Sequence, residues 1–538
     1  MDNKNLILAF ALSMLVLIGW NMMFPPQQPL QPVSQAQVSP PTDAEHDTAA
    51  QDLIEKTADT TTRPQADHTP ASTAPASQKE VLSMDTVAEF GNDVLALKIN
   101  ARGWLTEATL LQYQESLDNP EKIKLLSHSD IHATYINSGV LRQKLVEPFK
   151  LVSLTKQDGK TTAIFEGKLG DGYIWQRTYT LDPGSYVIKT TDRIQGGAGL
   201  KLYTQVVEKN PIAPKTRNYN EHNGPIGLFN DELTEVTYEE LDETGTKKFA
   251  SVGGWTGMMT RYFMKALFGA DQDASYRYYF KGDARAYQSG MINDGFVDNG
   301  DMVFENNIFI GPKSIPYLKQ FDIGLERAVD FGWFTVIAKP LHEIMLWLYQ
   351  YIPNYGLIII LMVVALKAIL FVPTQSGYRS MANMRKLQPK LTKLKELYGD
   401  DRQKMGQEVM ALYKKHKVNP LGGCLPILLQ MPVFFALYKV LLISIELRQA
   451  PFYGWIQDLS AQDPYFILPI LMGVSMFIQM QLNPAPTDPI QAKVMKFLPL
   501  FMTAMFLFFP AGLVLYWVVN NILSIIQQRL VMKSMNVD

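Results

Sequence analysis

The sequence predicts a polytopic α-helical membrane protein that carries a large exported all-β sandwich domain. Three observations lead there. Apolar runs long enough to cross a bilayer lie at the N-terminus and in the last third of the chain. Between them, short alternating runs are broken by turn residues, as strands are. Basic residues gather in alternate loops between the apolar runs, as cytoplasmic and exported faces require. The 50 Lys+Arg balance 52 Asp+Glu to a net charge of −2, which excludes a wholesale binder of nucleic acid. The single cysteine excludes an internal disulfide framework, a CxxC redox pair and a cysteine-based zinc cluster.

The first run, Leu6 to Phe24, has nineteen residues, enough for a helix across a ~30 Å hydrocarbon core. It has no A-x-A site and ends in Asn21-Met22-Met23-Phe24-Pro25-Pro26, so residues 1–24 read as an uncleaved signal anchor rather than a cleaved signal peptide. Lys4 precedes the run and no Lys or Arg follows until Lys56, which places the N-terminus in the cytoplasm. Residues 25–80 are rich in Pro, Gln, Ala, Thr and Ser with few large apolar side chains. Such a segment buries too little to offset ordering entropy and is expected to be a disordered exported tether.

Residues 81–322 are expected to form the sandwich. Val94-Leu95-Ala96-Leu97-Lys98-Ile99, Thr161-Thr162-Ala163-Ile164-Phe165 and Tyr186-Val187-Ile188-Lys189 are typical strand runs. Asp158-Gly159, Asp171-Gly172 and Asp182-Pro183-Gly184 punctuate them as turns. Residues 323–353 contain an amphipathic helix in which Leu341, Ile344, Met345 and Leu348 share a face beside Trp347 and Tyr349. It either lies in the exported membrane interface or packs on the β domain.

Residues 354–538 hold the remaining spans. Tyr355–Val372, Leu421–Ile445 and Tyr465–Met480 are the second, third and fourth. The run from Phe497 to about Ile526 is broken by Pro510-Ala511-Gly512 and is expected to be two short spans; one long helix kinked at Pro510 is the competing reading. Six spans with both termini inside result. The cytoplasmic segment 376–419 reads as a helical hairpin, with Met381, Met384, Leu387, Leu391, Leu394 and Leu397 on one stripe and Met405, Val409 and Leu412 on another. From Arg379 to Lys417 it has eleven Lys/Arg against four Asp/Glu, a net of +7. Its basic residues are Arg379, Arg385, Lys386, Lys390, Lys393, Lys395, Arg402, Lys404, Lys414, Lys415 and Lys417. Such a surface suits anionic phospholipid headgroups or the phosphates of ribosomal RNA.

Lys367 is the sole charge inside the second span. A charge there costs about 2.5–3.5 kcal/mol on insertion scales and usually faces a bundle interior or a wet cavity. Snorkelling to the cytoplasmic surface is the alternative. Gln430, Thr503, Asn520 and Asn521 are further polar residues in the spans that, with Lys367, suit a polar recess. Other patterns carry less. His128 and His132 have no evident third ligand, and Gly473-Val474-Ser475-Met476 lacks the second glycine of a nucleophile elbow. No G-x-x-x-x-G-K-[ST] string occurs. No catalytic residue, metal or cofactor is expected.

Several strings resemble the YidC family of bacterial membrane protein insertases. They are Asn419-Pro420-Leu421-Gly422-Gly423-Cys424 followed by Gln430-Met431-Pro432, Leu387-Gln388-Pro389-Lys390, Glu446-Leu447-Arg448-Gln449-Ala450-Pro451-Phe452, Asp458-Leu459-Ser460-Ala461-Gln462-Asp463-Pro464, and Phe509-Pro510-Ala511-Gly512-Leu513-Val514-Leu515-Tyr516-Trp517. The resemblance implies a five-span insertase core around a hydrophilic groove, in the inner membrane, with the β domain periplasmic. It implies a positive groove residue on the second span, usually Arg and here Lys367, with Gln430 and Trp517 nearby. Lys keeps the charge and loses the bidentate fork. A client's apolar helix would leave along spans three and five, with Met431, Met505 and Leu513 as candidates for that slide. Nascent membrane proteins, the Sec translocon and ribosomes, met through the cytoplasmic loops, are the implied partners.

Two rival readings compete with an insertase. A secondary transporter or channel would use Lys367 as a coupling charge, though the spans show no internal repeat and no acidic partner. An envelope assembly factor would act through the β domain and use the spans as an anchor.

Overall fold

The computed structural model describes residues 86–129, 131–212, 222–398, 401–419, 425–484 and 489–536. The expected signal anchor, the tether and most of the Asn419–Cys424 string fall outside them. The described residues divide into two compact units, one ending at Ala328 and the other starting at Val329.

Among its described residues the first unit holds nineteen strands between Thr86 and Pro312, arranged as a nine-stranded and a ten-stranded sheet with every pairing antiparallel. The turn chemistry read from the sequence accounts for the hairpins. Asp158 and Gly159 both take positive φ, 52° and 78°, and join strands Leu145–Gln157 and Lys160–Leu169. Two successive positive φ values match the right-handed twist of the strands they connect. Side chains alternate as the pleat demands: in Ile174–Leu181, Trp175, Arg177, Tyr179 and Leu181 are buried and their neighbours are not.

That alternation puts an arginine in the core, and its partners explain why it stays there. Arg177 Nε donates to Asp192 Oδ1 at 2.6 Å and Arg177 Nη1 to Gly103 O at 3.0 Å. Trp175 Nε1 donates to the same Asp192 oxygen at 2.7 Å. A buried charge is tolerated when it is paired and hydrogen-bonded in this way. The unit is mostly rather than wholly β, since a short helix, α1 (Tyr238–Thr244), starts on the Thr237 hydroxyl.

The second unit is helical. Helix α2 (Thr335–Tyr349) buries Ala338, Leu341, His342 and Met345 and packs on the helices α3 (Tyr355–Ile369) and α7 (Leu425–Ile443) of its own unit. Ile344 and Trp347 point outward, so the buried face is rotated from the expected one. Between α3 and α7 come α4 (Phe371–Lys386), α5 (Gln388–Tyr398) and α6 (Arg402–Lys415). After α7 follow α8 (Ile467–Leu482), α9 (Pro489–Phe506) and α10 (Ala511–Ser534).

Three features go beyond or against expectation. First, α3 ends at Ile369, short of the expected Val372, and α4 leaves it at 71°. Pro373 has no N–H for an unbroken helix, and its ring would strike the carbonyl of Ile369. Second, the cytoplasmic segment is three helices rather than a two-helix hairpin. Met381, Met384 and Leu387 pack with Tyr378, Val418 and Val531, with Tyr413 of α6 against them, so half of the expected stripe closes on α10 as well as on α6. Third, the last run does break before Pro510, but its helices have 18 and 24 residues and are not short. Helix α10 runs past Ile526 because Gln527 and Gln528 are buried and bonded to neighbouring helices.

Among the described residues one helix, α10, is long and apolar enough to cross a membrane by itself, or two counting the bent pair α3–α4. Shorter apolar helices cover Leu428–Ile443 and Ile467–Leu482. The loop between α7 and α8 closes one end of the unit. Asp463 Oδ2 accepts from Leu468 N at 2.7 Å and Asp463 Oδ1 from Trp455 Nε1 at 3.0 Å. Ala511 N and Gly512 N donate to Ala461 O and Leu459 O, which ties this loop to the start of α10.

Candidate functional site

A recess opens where α3, α4, α7 and α10 meet. Val363, Leu366, Lys367, Leu370, Thr374, Gln430, Val433, Tyr516 and Asn520 line it. About 10 Å³ of it admits a water-sized sphere, room for roughly one water. In this state the recess is narrow, and none of its lining residues is acidic.

Lys367 lies two residues before the end of α3, and its side chain turns inward. Nζ donates to Ser524 Oγ on α10 at 2.7 Å. Ser524 Oγ in turn donates to Asn520 O at 2.8 Å, one turn back on its own helix. Asn520 Oδ1 accepts from Gln430 Nε2 on α7. Lys367, Gln430 and Asn520, three of the residues singled out from the sequence, thus converge.

Helix α10 organises this convergence. Asn520, Asn521, Ser524, Gln527 and Gln528 are all buried, yet they serve different neighbours. Asn521 Nδ2 donates to Ser475 Oγ on α8 at 3.1 Å. Gln527 Nε2 reaches Thr374 Oγ1 at 3.0 Å, and Gln528 Nε2 reaches Asn483 Oδ1 at 3.1 Å. Where little water reaches, a polar side chain needs a partner on another helix, so these bonds fix the rotation of α10. Ser524, Gln527, Gln528 and Thr374 were missed from the sequence, and Ser475 was weighed only as a nucleophile. The signal for Ser524, Gln527 and Gln528 is their i+4, i+7 and i+8 spacing from Asn520; Thr374 and Ser475 carry none.

Trp517 does not line the recess. Successive helical residues are rotated by about 100°, so Tyr516 and Asn520 share the recess face while Trp517 turns aside. It stacks on Phe434 at 5.0 Å and meets Phe506 edge-on at 5.9 Å. Thr503 is also elsewhere, because its Oγ1 bonds back to Pro499 O and the side chain abuts Gly473.

Of the residues expected on a client slide, Met431 is exposed, Met505 is half-buried and Leu513 is only 1% exposed. Leu513 sits in the packed start of α10 and offers no surface in this state. Exposed apolar side chains do occur on α7 and α9, at Leu428, Phe497, Leu500 and Phe501. Hydropathy alone does not separate these from buried neighbours, since both faces of a span are apolar.

The basic residues spread over α4, α5, α6 and the turn beyond. Arg379, Lys386, Lys390, Lys393, Lys395, Lys404, Lys414, Lys415 and Lys417 are exposed. Arg385 is half-buried, and its Nη1 donates to Leu482 O at 3.4 Å. Lys390, Lys393 and Lys415 rim a shallow groove floored by Leu394, Leu397 and Leu412. His132 Nδ1 lies 3.1 Å from Asn210 O, and no group of His, Cys, Asp and Glu among the described residues is placed to hold a metal ion.

Comparisons with known proteins agree on one family. Residues 347–538 match the family model described as 60Kd inner membrane protein, and residues 88–344 match the YidC periplasmic domain. The membrane protein insertase YidC of Marinobacter nauticus is 38% identical over 98% of this chain and 97% of its own length. That of Magnetococcus marinus is 39% identical over 84% of each chain. Among solved structures, an active YidC insertase with its first transmembrane domain resolved covers 81% of this chain and 91% of its own, at 17% identity and a TM-score of 0.39.

Proposed function

As the chain belongs to the YidC family of membrane protein insertases, we propose that it moves client transmembrane segments from the cytoplasm into the inner membrane through the Lys367 recess. The observation that carries this reading is the inward Lys367 ammonium, held among Ser524, Asn520 and Gln430.

A client's polar tail loses water when it enters hydrocarbon, at several kcal/mol for each unsatisfied backbone group. Polar side chains part-way across the bilayer replace some of that water, and the Lys367 charge attracts acidic tail residues. Helices α3 and α8 have 15 and 16 residues, about 22 and 24 Å at 1.5 Å per residue. Both are shorter than a ~30 Å core, so the bilayer around them thins and the remaining barrier shortens. The client's own apolar segment supplies the driving force by partitioning into lipid. Met431 and Met505, with Leu428 and Phe501, form the surface along which it leaves.

In this reading the five helices α3, α7, α8, α9 and α10 join the Leu6–Phe24 anchor as six spans, with both termini cytoplasmic and the β domain periplasmic. The basic segment 376–419 and the Lys493–Lys496 stretch meet ribosomes and anionic phospholipids, and the Sec translocon shares some clients. No covalent step is needed.

The test uses the full chain in liposomes with a single-span client whose translocated tail is acidic. Lys367→Arg should support protease protection of the tail, Lys367→Ala should impair it and Lys367→Glu should abolish it. Equal insertion by all three and the parent chain would remove the charge from the mechanism.

A further inference from the structure

The partner of Lys367 is a neutral oxygen, and this sets what can replace it. An ammonium has only protons to give, so Ser524 Oγ accepts from Lys367 at 2.7 Å and spends its own proton on Asn520 O at 2.8 Å. Gln430 Nε2 donates to the Asn520 side-chain oxygen, and Ser524 is the group on α10 to which the ammonium donates. Ser524 is 2% exposed, and the recess has room for about one water. The Tyr378 hydroxyl also lies beside Ser524 from α4. The ammonium is therefore held, but by a weak acceptor. A carboxylate adds a full opposite charge to the bond, and with it a Coulomb attraction that a hydroxyl dipole lacks.

We infer that Ser524 is a positioning residue that latches Lys367, so that the recess opens by exchange of the Ser524 hydroxyl for a client's carboxylate. This rests on the reading of Lys367 as the client-facing charge. A neutral amide or hydroxyl in a client tail gains little by displacing an equivalent group, while an acidic side chain gains a charge pair. The latch thereby turns attraction for acidic tails into discrimination against neutral ones. A carboxylate at position 524 would satisfy Lys367 permanently and keep it closed. Alanine would leave the ammonium without its acceptor.

The experiment uses the full chain in liposomes and two readouts. The first is acylation of Lys367 by acetic anhydride, followed by mass spectrometry of the peptide that contains it. The second is insertion of matched single-span clients with acidic or neutral tails. Ser524→Ala should raise Lys367 acylation roughly tenfold, in keeping with the loss of a hydrogen bond to a charged group, and should narrow the preference for acidic tails. Ser524→Thr should behave like the parent chain, which controls for folding around position 524. Ser524→Asp should protect Lys367 from acylation and depress insertion of the acidic client. Unchanged acylation in Ser524→Ala, or full insertion by Ser524→Asp, would overturn the latch. Full insertion of the acidic client by Lys367→Ala would instead refute the function proposed for Lys367.

Discussion

The Gln527 side-chain amide lies 3.0 Å from the Thr374 hydroxyl, on the first turn after the 71° bend between α3 and α4. The same amide reaches Phe371 O at 3.2 Å. Helix α10 therefore holds the bend from the side, next to the recess. Gln527→Leu keeps most of the volume but removes both bonds from α10, while the Thr374 hydroxyl keeps its own bonds to Leu370 O and Phe371 O. It is expected to cost about 1–3 kcal/mol, the net worth of two ordinary hydrogen bonds. Thermal unfolding in detergent measures it, and an unchanged midpoint would mean that the bend is held by Pro373 alone.

Thr503 and Gly473 make a second contact that a mutation pair can read. A methyl added at Gly473 would come within 2.0 Å of Thr503 Oγ1. Gly473→Ala gains helix propensity but overpacks this contact, and the expected result is a net loss of about 1–3 kcal/mol. Adding Thr503→Ala should relieve it and make the double variant at least as stable as Thr503→Ala alone. A double variant as unstable as Gly473→Ala would show that α8 and α9 do not approach here.

The β domain supplies a stability test that leaves the helical core untouched. Arg177 and Asp192 are buried, with side-chain exposures of 1% and 2%. Asp192→Ala leaves the guanidinium without its counter-charge and should destabilise this unit by about 3–5 kcal/mol. Urea unfolding followed by tryptophan fluorescence reports it. Deleting residues 86–312 altogether should leave insertion of a small client largely intact if the spans do the work. Loss of all insertion on that deletion would favour an assembly factor that acts through the β domain.

Buried tyrosines give the same unit an alkaline limit. Burial, followed by the neighbouring Glu208 charge and the 2.9 Å bond to its carboxylate, raises the Tyr238 phenol well above its ordinary value. Burial and Asp242 raise Tyr287 in the same way. Both phenols are neutral below pH ~10, so they add no pH dependence there. Above it the unfolded chain releases protons that the folded one retains, and stability falls as pH rises towards the folded values. Tyr238→Phe should flatten that decline without steepening it below pH ~10, as urea midpoints between pH 8 and 11 would record.

Much of the site was legible in the sequence because single polar residues stand out in apolar runs. Lys367, Gln430 and Asn520 were identified on that ground, and they meet. Ser524 and Thr374 were not, because a serine or threonine in a span is ordinary until its partners are known. The stripe at Met381, Met384 and Leu387 was legible as a stripe, but its partners Val418 and Val531 lie 31 or more positions away in sequence. Periodicity gives a face and does not say what covers it. The extent of α10 was underestimated for a related reason: hydropathy falls at Gln527-Gln528-Arg529, while the helix is carried on by bonds to α4 and α8. In the β domain the turn residues were sufficient, because a positive φ at Asp158 and Gly159 is a local matter.

The central claim is that a client's polar tail occupies the recess between Lys367, Gln430 and Asn520. Photo-crosslinking of an arrested nascent client tests it most directly, with a photoreactive residue placed in turn at Gln430, Val433 and, as an outward control on α10, Leu530, which is 62% exposed. The account predicts strong crosslinks from Gln430 and Val433 to the client's acidic tail, weakened by Lys367→Glu, and few from Leu530. Crosslinks that are equal at all three positions, or absent from the recess while the client still inserts, would contradict it.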